Sequence, residues 1–411
     1  MCVRCNDPAH QADAQGSDRR RLLIGGAGLA AAPILAAATS ADAQAASGAA
    51  RREKAGPTGP FKVRAYGVSG PKAAFAPLEI TRRAVRPSDV LIDVLYAGVC
   101  HSDIHTARSE WGRANYPVVP GHEIVGRVTA VGAAVTKFKV GDYAGVGCMV
   151  DSCGTCENCR ADREQNCLNG TTFTYDAPDK VSGGRTYGGY AERIVVTEHF
   201  AIRVPPGMDL AATAPLLCAG VTTFSPMQHW RLQPGQRIGV VGLGGLGHVA
   251  VKLAAARGAE VTVFTTTPAK LADAQRLGAK EAVLWSDKPA MARLASSFDL
   301  MISTVPEAYP MQPFIDLLKL DATYVNVGAL GEVSGLSGMA MGFGRKSLAG
   351  SMIGGVAETQ AVIDYCAARN IKADIELIGP DQISRAYDRV VAKDVRYRFV
   401  IDMTKDRQAR A

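Results

Sequence analysis

Hydrophobic and polar positions change rhythm twice along the chain. Between about residues 61 and 206 the apolar positions come in short runs broken by glycine, as in DVLIDVLYAGV (89–99) and IVGRVTAVG (124–132). Their many β-branched side chains suit a pleated, half-buried surface and predict a mostly antiparallel barrel. From about residue 235 the rhythm lengthens. Ile238 to Val241 is an unbroken apolar run fit for a strand buried on both faces, a helical pattern follows, and Val261 to Phe264 repeats the strand. EAVLW (281–285), FDLMISTV (298–305), TYVNVGA (323–329) and SLAGSMIGG (347–355) continue the series with helical patterns between them. Such alternation predicts an α/β fold with an open, doubly wound parallel sheet. TQAVIDYCAARN (359–370) then reads as a helix and RYRFVID (396–402) as a closing strand. The expected division is a β-rich domain built from 61–206 and 353–405, interrupted by an α/β domain at 207–352.

The N-terminal pattern belongs to neither domain. Arg19, Arg20 and Arg21 precede an uncharged run from Leu22 to Thr39, which ends in alanines with A-x-A spacing at Ala41, Ala43 and Ala45. A basic start, an apolar stretch and small residues before a cut are the parts of a secretory signal. The arginines followed by Leu22 and Leu23 resemble the twin-arginine signal, whose route carries folded proteins. Residues 1–45 are therefore expected to be a cleaved twin-arginine signal that engages the export machinery transiently, with a periplasmic product free of a membrane anchor. The other readings are an uncleaved anchor and a cytoplasmic chain with a misplaced start. Residues 46–60, polar and glycine- and proline-bearing, read as a linker.

Composition narrows the function. At 411 residues, 47% hydrophobic and 21% charged, the chain has ample length for two packed domains. The net charge of +7 arises after residue 45, because Arg4, Arg19, Arg20 and Arg21 are matched by Asp7, Asp13, Asp18 and Asp42. Lysines and arginines are scattered beyond doublets such as Arg51-Arg52 and Arg82-Arg83, so no nucleic-acid footprint is expected.

Ten cysteines in an exported chain suggest disulfides until their spacing is read. Cys153, Cys156, Cys159 and Cys167 follow C-x2-C-x2-C-x7-C, a spacing that closes a tetrahedral zinc shell in one loop. Two disulfides are the competing reading, disfavoured because cysteines so close in sequence pair with strain. Cys148 and Cys366 fall outside the spacing and read as buried core thiols.

Three further pieces carry one metal donor or more beside glycine: AGVCHSDIHTARSEWG (97–112) with Cys100, VVPGHEIVGRV (118–128) with His122 and Glu123, and APLLCAGVTTFSP (214–226) with Cys218. Each alone is more often core than ligand, but Cys/His/Cys is a set suited to a catalytic zinc with an open position. Taken in order with the four-cysteine loop and GLGGLGH, they resemble the zinc-dependent medium-chain alcohol dehydrogenases. CHSDIH, APLLCAGVTTFSP and AGSMIGG look most like the cinnamyl alcohol dehydrogenase and bacterial aldehyde reductase branch. The resemblance runs from about Phe61 to Asp402. It implies a GroES-like β domain joined to a Rossmann domain, with the active site in the cleft between them. Cys100, His122 and Cys218 would hold the catalytic zinc, with Glu123 at the fourth position when substrate is absent. Asp103 would fix the His122 ring, and Ser102 and His105 would relay the alcohol proton. Trp111 is a candidate wall of the substrate pocket, and His101 has no assigned role. The implied reaction is hydride transfer between a nicotinamide and a zinc-bound aldehyde or primary alcohol of broad type, aromatic ones included. A homo-oligomer is expected by the same resemblance.

The cofactor signature stands on its own residues. Gly242, Gly244 and Gly247, with Gly245 between them, give G-x-G-x-x-G where a strand turns into a helix, the arrangement that lets a backbone approach a pyrophosphate. An enzyme selecting NAD places an acidic residue at the end of the second strand. Here Thr265, Thr266 and Thr267 stand there with Lys270 one turn on, and Glu260 lies at the wrong end, which predicts NADP(H). The resemblance adds Thr222, Thr304, Gly328, Ser351 and Ile353 as nucleotide contacts, and Met352 where plant relatives carry an aromatic. Two other functions fit parts of the sequence: an exported nucleotide-binding redox sensor without turnover, and a metal-free quinone oxidoreductase. Two zinc ions per chain are expected only of the dehydrogenase.

Overall fold

A computed structural model describes residues 56–328 and 333–405; the expected signal (1–45) and most of the expected linker (46–60) lie outside them. Among the described residues no single helix is long and apolar enough to cross a membrane.

The β-rich part begins with an antiparallel pair, β1 (Phe61–Gly67) and β2 (Ala76–Arg82). β3 (Asp89–Gly98) leads into the short helix α1 (His101–Ala107). β4 (Ile124–Val131) and β5 (Tyr143–Val146) follow, then the small pair β6 (Met149–Asp151) and β7 (Thr172–Phe173), then β8 (Arg193–Thr197) and β9 (Ala201–Arg203). β3 carries this domain. Val90, Ile92, Val94 and Ala97 are fully buried, and each half of the strand finds a different edge partner. Asp89 to Asp93 pair with β8, whereas Tyr96 to Gly98 pair with the last strand of the chain.

The α/β part is a six-stranded parallel sheet. Its strands are β10 (Arg237–Val241), β11 (Glu260–Thr265), β12 (Glu281–Leu284), β13 (Phe298–Ser303), β14 (Leu318–Asn326) and β15 (Ser347–Gly350), in spatial order 12-11-10-13-14-15. The order reverses beside β10, and in such sheets the crevice at that reversal is where a dinucleotide lies. α2 (Ala219–His229) precedes the sheet and α3 (Gly247–Ala256) follows β10; the first nine residues of α2 are buried, between α3 and α4 (Val356–Ala368). The sequence expectation for the fifth strand was short: β14 starts at Leu318, because polar Lys319 and Asp321 lie on an exposed entry to a strand whose core is Tyr324 and Val325. Conversely the strand expected over 347–355 stops at Gly350, where the chain turns to line the cleft.

After α4 the chain returns to the first sheet through β16 (Ile375–Ile378), helix α5 (Ile383–Val391) and β17 (Arg398–Asp402). β16 and β17 pair in parallel, the one departure from antiparallel order in that sheet. β17 then lies against β3, so the last strand closes the domain that the first strands opened.

Candidate active site

The donor atoms of Cys100, His122, Glu123 and Cys218 all lie within 4.8 Å of one another, and all four residues are buried. Cys100 caps α1 just after β3, His122 and Glu123 enter β4, and Cys218 caps α2, so three elements deliver one cluster. Asp103, fully buried, holds it together. Its carboxylate accepts from the Cys100 amide (2.9 Å), the Gly121 amide (3.1 Å), the Tyr190 hydroxyl (3.2 Å) and His122 Nδ1 (3.1 Å). With Nδ1 committed to that carboxylate, Nε2 is the nitrogen left for a metal. Burial opposes a charge on His122, yet Asp103 and Cys148 carry its pKa well above the usual range. Cys100 is the more acidic thiol of its pair, because Cys218 donates to it and Arg398 and His122 stand near.

Glu123 is held differently. Both its oxygens are buried without a hydrogen bond, and burial pushes its pKa up, against the pull of Arg398, whose Nη2 lies 3.3 Å from Oε1. The side chain occupies the space beside Gly98, where any Cβ would collide with Oε2. Two soft thiols, one imidazole and an orphaned carboxylate, gathered at buried positions, suit zinc by donor type and number.

The second cluster comes from one loop. The thiols of Cys153, Cys156, Cys159 and Cys167 also lie within 4.8 Å of one another. Backbone amides turn inward to them: Cys156 N donates to Cys153 Sγ (3.3 Å), Cys159 N to Cys156 Sγ (3.5 Å) and Cys153 N to Cys167 Sγ (3.4 Å). The amides of Thr155 and Cys156 favour the thiolate of Cys153 and lower its pKa to about 5, whereas burial raises Cys159 to about 11. Cys153, Cys156, Cys159 and Cys167 are free thiols, so the disulfide alternative has no counterpart here.

A cleft of about 1450 Å³ joins the first cluster to the crest of the parallel sheet. At its centre β10 turns into α3 through Gly242 to Gly247. A Cβ on Gly247 would strike the Gly242 carbonyl, while one on Gly244 would meet nothing within 4 Å, leaving open space over the turn. Arg398, 3% exposed, reaches this turn from β17; its Nη1 donates to the Val99 carbonyl (3.1 Å), its Nη2 faces Glu123, and its Nε, near Gly245, is buried without an acceptor. A buried donor left open beside a glycine turn fits a pyrophosphate. Thr222, Thr304, Gly328, Ser351, Met352 and Ile353 line the same cleft. At the far end lie Thr265, Thr266, Thr267 and Lys270; Glu260 is instead paired with Lys280 (2.7 Å) outside it.

Two family models match the chain: an alcohol dehydrogenase GroES-like domain over residues 86–206 and a zinc-binding dehydrogenase over 245–368. "NADP-dependent alcohol dehydrogenase C 1" of Mycolicibacterium smegmatis is 50% identical over 341 residues, covering 83% of this chain and 97% of that protein. The chain belongs to the zinc-dependent medium-chain alcohol dehydrogenase family. "Aldehyde reductase YahK" of Escherichia coli is 49% identical, covering 83% of this dehydrogenase and 98% of its relative. Among solved structures, a cinnamyl alcohol dehydrogenase from Sorghum bicolor superposes with a TM-score of 0.81 at 43% identity, over 83% of this chain and 98% of that one. Another, from Helicobacter pylori and complexed with NADP(H), gives 0.78 at 40% identity, over 84% and 99%. The metal-free quinone oxidoreductase and redox-sensor alternatives find no support in these relatives.

Two residues of this dehydrogenase, Cys148 and Arg398, stand where the sequence did not put them. Cys148 is a half-buried thiol on the cleft wall beside Cys218, and not a core residue; β6 and β7 turn its carbonyl, not its side chain, into the pairing with Thr174. His105 is not part of the cleft lining. Its Nδ1 is 2.5 Å from Glu110 Oε2, its ring stacks on Trp111 at 4.7 Å and its Nε2 is buried without a partner, while Ser102, with Oγ 3.8 Å from Cys100 Sγ, lies on the cleft wall itself. His101, without an assigned role, does line the cleft, and burial lowers its pKa so that it stands there neutral. Arg398 was missed altogether. Its only trace in the sequence is an arginine inside the apolar run of RYRFVID, a charge with no place in a core unless something pairs with it. Cys366 is fully buried as expected, its pKa pushed up to about 12.

Proposed function

We propose that this chain is a zinc-dependent, NADP(H)-linked alcohol dehydrogenase that works as an aldehyde reductase on aldehydes and primary alcohols of broad type, aromatic ones included. The observation that carries the reading is that one cleft is lined by Cys100, His122 and Cys218 of the donor cluster, by the glycine turn after β10, and by the threonines and lysine after β11. Zinc held by Cys100, His122 and Cys218, with Glu123 as fourth donor in the absence of substrate, supplies Lewis acidity toward a carbonyl oxygen, and the nicotinamide supplies the hydride.

The chain's own residues do the rest. Asp103 fixes the ring of His122 and keeps Nε2 turned to the cluster. The hydroxyl of Ser102, on the cleft wall beside Cys100, is placed to hold and pass the alcohol proton. Arg398 and the turn at Gly242–Gly247 orient the nucleotide by its pyrophosphate, and Thr265–Thr267 with Lys270 receive a 2′-phosphate. Trp111 and Met352, both on the cleft wall and more than half exposed, form an adaptable boundary for the substrate, which suits broad specificity.

The same reading gives a second, structural zinc to Cys153, Cys156, Cys159 and Cys167. It also takes residues 1–45 as a twin-arginine signal and the mature enzyme as a periplasmic homo-oligomer. Support for the leader is its charge and hydropathy pattern, together with relatives that are matched over 97–98% of their own length by 83% of this chain. The test is metal analysis joined to an assay with benzaldehyde. About two zinc ions per chain and NADPH oxidation at least tenfold more efficient than NADH oxidation are expected from the donor and 2′-phosphate sites. A zinc-free preparation with oxidised cysteines, or equal use of the two nucleotides, overturns it.

A further inference from the structure

One cation reaches the nucleotide end of the cleft from the β-rich domain. α5 is fastened to that domain: the Ser384 hydroxyl accepts from the Phe75 amide (2.9 Å), and the Tyr387 ring packs edge-on against Phe75 at 4.8 Å. The helix ends as its last amides fold back, Ala392 N to Asp388 O (2.9 Å) and Lys393 N to Val390 O (3.0 Å), with Lys393 in the left-handed region at φ 60°. Glycine is the usual residue at such an end because a Cβ is strained there. This chain places its long ammonium arm there instead.

Lys393 lines the cleft, and its Nζ lies 3.1 Å from Glu307 Oε1. Glu307 belongs to the loop after β13, so the pair spans the two domains at the cleft mouth. Both side chains are about two-thirds exposed, 63% and 66%, and an exposed pair of this kind holds its partners weakly. Lys270 stands close by. Burial first, then Arg396 and Lys393, lower its pKa, so the field around the end of β11 is positive beyond what Asp273, already bonded to Arg396 and the Tyr397 hydroxyl, offsets. A phosphate monoester carries close to two negative charges at neutral pH, more than Lys270 and three hydroxyl groups neutralise.

We propose that Lys393 is a second cation for the 2′-phosphate of NADP(H), leaving Glu307 for the phosphate when the nucleotide binds, so that the β-rich domain reads cofactor identity from across the cleft. The inference deepens the NADP(H) reading above and rests on it. Glu307 acts in the opposite sense: it holds the arm when no phosphate is present and competes with the phosphate for it.

The test is equilibrium binding of NADPH and NADH, followed by energy transfer from the tryptophans, of which Trp285 lines the cleft, with competition by 2′,5′-ADP and 5′-AMP. Lys393→Ala is expected to weaken NADPH and 2′,5′-ADP about tenfold, the size of a partly exposed charge-assisted contact, and to leave NADH and 5′-AMP within about twofold. Lys393→Gly separates this from a folding defect, because it relieves the backbone: its melting temperature should equal or exceed that of the parent while NADPH binding falls as in the alanine variant. Glu307→Gln should tighten NADPH severalfold. Equal losses for NADPH and NADH, or no loss in either lysine variant, overturn the role of Lys393. Parent protein that binds NADH as tightly as NADPH overturns the cofactor reading itself and this inference with it.

Discussion

His248 shows how a single residue ties the two domains. It is fully buried at the start of α3, donates from Nδ1 to the Gly244 carbonyl (3.2 Å), accepts at Nε2 from the Asp374 amide (3.1 Å) and stacks on Tyr397 at 5.1 Å. Both nitrogens are used only by the neutral ring, and burial, then Lys252, lowers its pKa to about 3. In the unfolded chain the value is about 6.5, so between these limits the unfolded state binds a proton that the folded state refuses. The stability His248 confers is complete above the unfolded value and is lost as pH falls from there toward 3. His248→Gln is expected to flatten the pH dependence of unfolding free energy between pH 6 and 4 by about one proton, or about 1.4 kcal/mol per pH unit, in urea titrations; an unchanged slope refutes it. At this scale the sequence was legible where chemistry is local. Cys100, Asp103, His122 and Glu123 fall within short motifs, and the structure gathers them as those motifs suggest. Arg398 and Cys148 were not legible, since the role of each depends on a partner far away in sequence: Glu123 lies 275 positions before Arg398, and Cys218 lies 70 after Cys148.

Among the elements, the cysteine loop is the clearest self-contained unit. Its four thiols come from residues 153–167, and it is pinned at one buried carboxylate, Glu164, which takes His199 Nε2 (2.8 Å) on one oxygen and the Val356 amide (3.0 Å) at the start of α4 on the other. The loop is thus braced against the helix that packs on α2, whose first turn begins at Cys218. Cys156→Ser is expected to remove about one zinc per chain and to open the bonds after Arg160 and Arg163 to trypsin, while NADPH binding stays within a few-fold, since the loop's ligands stand apart from the nucleotide. Metal analysis and digestion patterns check this; a loop that stays resistant without its metal counts against a structural zinc. The strands of the parallel sheet could be found from sequence because each has a short, largely apolar centre, such as Ile238–Val241 in β10 and Tyr324–Val325 in β14. The divided loyalty of β3 could not: its first half pairs with β8 and its second with β17, and hydropathy is the same for either partner.

At the scale of the whole molecule, the proposed leader and the cleft bear on each other. A route that exports folded chains would let zinc and nucleotide be loaded before transit. Outside the cytoplasm no nicotinamide pool would replenish the enzyme, so the exported form is expected to keep its nucleotide and to recycle it by oxidising one substrate as it reduces another. Fractionation checks both steps. Replacing Arg19, Arg20 and Arg21 together by lysine should leave uncleaved chain in the cytoplasm, and parent protein recovered from the periplasm should release nucleotide on denaturation; periplasmic protein that is empty and inactive until NADPH is added defeats the recycling scheme. The cleft also draws on distant parts of the chain. Its glycine turn is made at residues 242–247, but the guanidinium that stands against it belongs to β17, at residue 398 of 411. The residues up to α4 include every strand of the parallel sheet and both sets of metal donors, but not the guanidinium that faces the turn. The proposed pyrophosphate site is thus completed only by β17, and a chain cut short before Arg398 is expected to bind NADPH more weakly than the full chain in equilibrium titration.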